Sequence, residues 1–160
     1  MMEVLVAILI MGLSMALAFP SIKVAADCYH TIERKERAQM FLSENMIEIS
    51  NLIRYADPNG DITVNADKSL TVTSMKQGFA GTIRTDDSTG MVRYTSTVSA
   101  AKFKIIAADA ITSSQKAVFE VNTSKTSTVK GKTVITFTVY IYDGEDVLAH
   151  ADMQVSPIFQ

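Results

Sequence analysis

From Val4 to Ile22 the chain carries no charged side chain, and Glu3 stands at the edge of that run. A helix advances about 1.5 Å per residue, so the run covers roughly 28 Å, the hydrocarbon thickness of a bilayer. Such a segment must lie in lipid or against apolar surfaces. Three simple uses fit it poorly. A secretory signal peptide has a basic n-region; here Glu3 takes that place, although Ala16-Leu17-Ala18 has the small-x-small form of a cleavage site. A lipoprotein anchor needs small residues directly before its cysteine, whereas Cys28 follows Asp27. A solitary transmembrane anchor accounts for the length only, since a carboxylate at the edge of an apolar run is costly and marks function.

The stretch Glu3-Val4-Leu5-Val6-Ala7-Ile8-Leu9-Ile10, followed by Gly12 and Pro20, resembles the start of the type IV pilin family, which includes the pseudopilins of type II secretion. In that family a glutamate is the fifth residue of the processed chain, so on this register the present chain begins two residues later. The same offset puts Gly12 and Pro20 where many pilins carry a helix-weakening glycine and proline. The aromatic first residue of the family is absent, as is the basic, glycine-ended leader that a prepilin peptidase removes. The resemblance implies that Glu3 pairs with the N-terminal amine of a neighbouring subunit. It also implies that Val4, Leu5, Val6, Ile8, Leu9, Ile10, Leu13, Leu17 and Phe19 belong to a filament-core helix, and that Gly12 and Pro20 limit a segment able to melt. Implied partners are further copies in a helical filament, a prepilin peptidase that also methylates, an assembly ATPase and a platform membrane protein. The implied location is the cell membrane, crossed once, before assembly and an extracellular pilus afterwards.

The helix-opening expectation has its own physical footing. Proline lacks an N–H and clashes with the carbonyl four residues back, at about 3 kcal/mol in a helix interior, and glycine costs about 1 kcal/mol relative to alanine. In lipid, unpaired backbone groups are prohibitive, so the helix is expected to stay formed or merely kink before assembly. In a protein core the stretch Leu13 to Phe19 can extend, advancing roughly 3.3 Å per residue in place of 1.5 Å.

Past Pro20 charge returns with Lys23, Asp27 and Glu33-Arg34-Lys35-Glu36-Arg37, and apolar residues thin to a stripe of Leu42, Met46, Ile49 and Ile53 at helical spacing. Asp57-Pro58-Asn59-Gly60 ends the helix, because the residue before proline is pushed out of the α region. Composition then swings to Thr, Val, Ser and Tyr. Ile62-Thr63-Val64 and Leu70-Thr71-Val72 flank one turn, and Ile83 and Met91 to Tyr94 flank another at Asp86 to Gly90, giving two small hairpins. Val98 to Ile111 fits helix or strand and is read as strand. Ile135, Phe137, Val139 and Ile141 alternate with polar residues, as do Ala117, Phe119 and Val121 before them and Val147, Ala149, Ala151, Met153 and Val155 after them. That is an antiparallel meander with one apolar face, for which the Leu42 to Ile53 stripe is the free partner. The expected fold is α+β: a long N-terminal helix, apolar in its first half, packed by its second half on a C-terminal antiparallel sheet. Residues 1–22 form the anchor and 23–160 the head, with amphipathic helix 23–56 and a β-rich part 61–160.

Residue chemistry argues against catalysis and nucleic-acid binding. The 15 Lys and Arg are balanced by 17 Asp and Glu without segregation. Cys28 and His30 lie two apart on a helix and do not face each other. Asp57 to Asp61 has its glycine too early for a calcium loop and Lys68 where the twelfth-position glutamate belongs; Asp143, Glu145 and Asp146 form a solvated turn. Asn122-Thr123-Ser124 matches a glycosylation pattern common by chance. A single cysteine makes no internal disulfide, unlike the many pilins of two-membrane bacteria that close a C-terminal loop with one. No cofactor or metal is expected. The expected function is that of a structural, non-enzymatic filament subunit; the alternative is a single-pass anchored extracellular binding domain that never polymerises.

Overall fold

The computed structural model describes residues 2–56, 62–74, 78–97, 102–104, 114–123, 127–129 and 132–158. One helix, α1, covers Met2–Arg54. Nine strands follow: β1 Thr63–Val64, β2 Leu70–Ser74, β3 Phe79–Asp86, β4 Met91–Ser96, β5 Lys102–Lys104, β6 Gln115–Val121, β7 Ser127–Val129, β8 Lys132–Asp143 and β9 Asp146–Val155. The chain divides into two compact units, Met1–Glu36 and Arg37–Gln160. The expected α+β class, a long apolar N-terminal helix followed by antiparallel sheet, is what the chain forms. Burial starts only at Ala38.

The first unit is helix alone. Glu3 lies in its first turn, the favourable end of the helix dipole for a carboxylate. Leu, Ile, Met and Ala, all sound helix formers, dominate the sequence up to Phe19. Pro20 sits inside α1 and Gly12 is equally helical.

The second unit has its own core. All four residues of the expected stripe, Leu42, Met46, Ile49 and Ile53, are buried, and Ala38 and Phe41 widen it into a second ridge. They join one apolar cluster with Leu70, Val72, Ile83 and Val92 from β2 to β4 and with Phe119, Ile135, Phe137, Val139 and Ile141 from β6 and β8. At about 1.5–3 kcal/mol for each large apolar side chain removed from water, the cluster suffices to hold helix and strands together without a disulfide. Asn45, fully buried in the stripe, donates from Nδ2 to the Phe41 carbonyl at 2.7 Å.

The two expected hairpins exist, β1–β2 and β3–β4, but they are not separate. β2 also pairs with β3 from Leu70↔Ile83 to Ser74↔Phe79, and β4 pairs with β5, so all five strands form one meandering sheet. The joining strand is poorly legible because it contains Ala80 and Gly81, weak β formers. Gly81 is there for close packing: a Cβ would stand 2.5 Å from the Tyr94 ring and would also strike the Thr95 carbonyl. Of Val98 to Ile111, the described residues 102–104 are strand; the remainder lies outside the described residues.

The second sheet is built on β8, flanked by β6 on one edge and β9 on the other, with the short β7 against its first residues. The expected alternation holds for β6, β8 and most of β9, but not for Val147. A bulge at Ile141/Tyr142 makes Tyr142 pair with Val147 and Ile141 with Ala149. The extra residue shifts the phase, so Leu148 packs on the core while Val147, read from sequence on the apolar face, is exposed. The free edge of β6 is covered by the first sheet: Ala117 N donates to Gly90 O at 2.7 Å, Phe119 N to Thr85 Oγ1 at 2.9 Å, and Val121 N to Lys68 O at 3.3 Å. Lys68 Nζ and Glu120 Oε1, 2.9 Å apart, close the same seam.

Candidate membrane and assembly surface

Among the described residues, those expected to form the filament core have no apolar partner off their own helix. Every large apolar side chain from Val4 to Phe19 is between 53% and 71% exposed. Lipid-length helices in soluble proteins are normally buried; this one is long and apolar enough to cross a membrane, and none of its apolar window is buried. In water each of those side chains would forgo on the order of 1.5–3 kcal/mol of burial, so the surface is suited to lipid or to apolar partners.

Four residues bear on the backbone of this segment. Pro20 removes the N–H that would reach the Ala16 carbonyl. Ser14 Oγ donates to the Ile10 carbonyl at 2.8 Å and Ser21 Oγ to the Leu17 carbonyl at 2.9 Å. Such back-bonding keeps a hydroxyl satisfied in an apolar medium, and it slightly loosens and bends the helix. The fourth residue is Gly12, where an added Cβ would meet nothing within 4 Å. No packing within the chain calls for glycine at that position. The serines were not singled out from sequence, although a hydroxyl within an apolar run was the available signal.

Beyond the apolar run the first unit exposes Ile22, Val24, Tyr29 and Ile32 among its charges, and His30 Nδ1 lies 3.9 Å from Glu33 Oε2. Cys28 is an exposed free thiol. In the second unit, Met40 and Ile47, seven residues apart on the helix, are exposed on the side away from the core stripe. Glu48 follows Glu44 by one turn; partial burial, and then the charge of Glu44, push its carboxyl above the ordinary range.

Among the described residues no group of three or more His, Cys, Asp or Glu is placed to hold a metal ion. Asp57 to Asp61, considered above for calcium, lies outside the described residues, as does Ser124 of the glycosylation pattern. No family model, no curated protein and no solved structure matches this chain.

Proposed function

We propose that this chain is a structural, non-enzymatic subunit of a type IV pilus or a related bacterial surface filament. It is held in the membrane before assembly and polymerises through its N-terminal helix. The observation that carries the reading is the exposure of an apolar helix surface from Val4 to Phe19 in a chain whose second unit already closes its own core. That surface serves twice, first in lipid and then against the same surface of other copies.

Moving apolar side chains from lipid to protein gains little by itself, because lipid tails are as apolar as leucine. Assembly therefore needs close helix packing and a polar term. Gly12, which nothing in the single chain requires, supports the first. Glu3 supplies the second: buried in a filament core its carboxylate persists only if paired, and the N-terminal amine of a neighbouring subunit is the cation that the family resemblance provides. Prepilin peptidase, assembly ATPase and platform protein are the partners this reading requires.

Glu3→Ala, expressed in a strain that assembles the wild-type chain, tests the reading. The variant is expected to remain in the membrane fraction at the wild-type level while sheared filaments fall by about tenfold or more, the effect of losing one buried charge pair. Wild-type filament yield would remove Glu3 from assembly. A chain that enters the membrane but never forms filaments, even unmutated, would be the anchored binding domain instead.

A further inference from the structure

The outer face of the first sheet sets polar residues in cross-strand rows. Thr63, Thr71, Thr82 and Thr95 are successive partners from β1 to β4. In the next row Arg84 stands opposite Arg93. Like charges directly opposed weaken a sheet, so folding alone does not account for this row. Arg93 has a counter-charge, its Nη1 lying 2.5 Å from Asp86 Oδ2. Arg84 is exposed and makes no hydrogen bond among the described residues; its charge acts on the exposed carboxylate of Asp67.

Arg84 lies where two hollows adjoin. One, of about 280 Å³, lies over the sheet face and is lined by Asn65, Asp67, Ser69, Thr82, Thr95 and Thr97 together with Arg84. The other, of about 300 Å³, shares Asp67, Ser69 and Arg84 and continues to the seam with β6. The floor of the first is fixed by its own bonds. Asn65 Nδ2 donates to Ser69 Oγ at 2.8 Å and to Thr71 Oγ1 at 3.1 Å; Thr71 Oγ1 and Thr82 Oγ1 are 3.1 Å apart; Ser69 Oγ donates to Asp67 Oδ1 at 2.6 Å. Still uncommitted among the described residues are the guanidinium N–H groups of Arg84, the Thr95 hydroxyl and the Asn65 side-chain carbonyl.

A preorganised hollow with one forked cation, ringed by short hydroxyl and amide groups, suits a ligand with one carboxylate and several hydroxyls. We infer that the hollow around Arg84 binds an acidic saccharide, its carboxylate on the Arg84 guanidinium and its ring hydroxyls shared among Thr95, Thr97 and Asn65. The described residues of this face include no aromatic side chain on which a base could stack. Asp67, which lines both hollows beside Arg84, and Asp87, which lines the second, leave room for one ligand carboxylate on the guanidinium and oppose the closely repeated charge of a phosphodiester chain. The site lies wholly within the second unit and does not depend on whether the chain polymerises.

The test is NMR titration of the full chain in detergent micelles with a hyaluronan tetrasaccharide, which carries glucuronate, against neutral chitotetraose and oligothymidylate. Saturable shifts of the Arg84 Nε–H and of the Thr95 and Thr97 amides are expected with the acidic sugar. Binding should be about tenfold or more weaker for chitotetraose and for the Arg84→Gln variant, the loss of one charge-assisted contact. Arg84→Gln relieves the like-charge pair with Arg93 and gives up the attraction to the exposed Asp67, so it should fold about as stably as the parent; Lys116→Gln, a cation outside the hollow, should bind as the parent does. No saturable shift with the acidic sugar, unchanged binding by Arg84→Gln, or binding of oligothymidylate as tight as that of the sugar would each overturn the assignment.

Discussion

Two turns use one device, an aspartate followed two residues later by serine. Asp67 Oδ1 accepts from the amide and hydroxyl of Ser69 at 3.1 and 2.6 Å; Asp86 Oδ1 accepts from those of Ser88 at 3.0 and 2.6 Å. These bonds favour the ionised form, and both carboxyls lie below the ordinary range: Asp67 chiefly through the Ser69 hydroxyl, Asp86 chiefly through the Ser88 hydroxyl, with Arg93 adding to it. A carboxyl lowered by folding contributes stability that is present above its unfolded pKa, about 3.9, and is lost as pH falls through the lower folded value. Glu48, raised in the folded state, acts with the opposite sign: its contribution falls as pH rises through the ordinary glutamate range. Denaturant midpoints of the head should therefore drop below about pH 4, and Asp67→Asn with Asp86→Asn should flatten that drop while lowering stability at pH 7. An unchanged acid limb in the double variant would place the acid sensitivity elsewhere.

At the scale of the element, α1 is one helix with two environments. Residues from Ala38 onward are held by a core, whereas those from Val4 to Phe19 have only intrahelical bonds, weakened at Gly12, Ser14, Pro20 and Ser21. In the proposed filament, neighbouring copies can satisfy backbone groups that lipid cannot, so Leu13 to Phe19 opens and lengthens, and the heads seat at the surface while the anchors stay packed. Gly12→Ala and Pro20→Ala together favour the closed helix by about 4 kcal/mol. Membrane insertion should be unaffected and filament yield reduced. A filament reconstruction with unbroken i→i−4 bonding from Gly12 through Pro20, apart from the bond proline cannot make, would replace opening by a simple kink.

At the scale of the molecule, the second unit contains every residue of the apolar cluster. Removal of residues 1–21 should leave a soluble, folded, monomeric protein, checked by circular dichroism and sedimentation; an aggregated or unfolded product would mean that the core needs the anchor. The parts of this organisation legible in the sequence are those with an uninterrupted pattern. The apolar run, the stripe at Leu42, Met46, Ile49 and Ile53, and the alternation of β8 follow from a single period each. What was hidden depends on tertiary detail. Gly81 lies in a strand because the Tyr94 ring covers it, Leu148 turns inward because a bulge shifts β9, and the β2–β3 pairing joins two hairpins without a strong strand signal. The exposed apolar surface of α1 was visible from its composition. The Arg84 hollow was not, because it gathers β3, β4 and the β1–β2 turn through strand register.

The most direct measurement of the central claim is electron microscopy of material sheared from cells expressing this chain, with the filament protein identified by mass spectrometry. The account predicts thin filaments built of this chain, with the Val4 to Phe19 surfaces packed against one another along the axis. Finding the chain expressed and inserted in the membrane, yet absent from every filament, would contradict it.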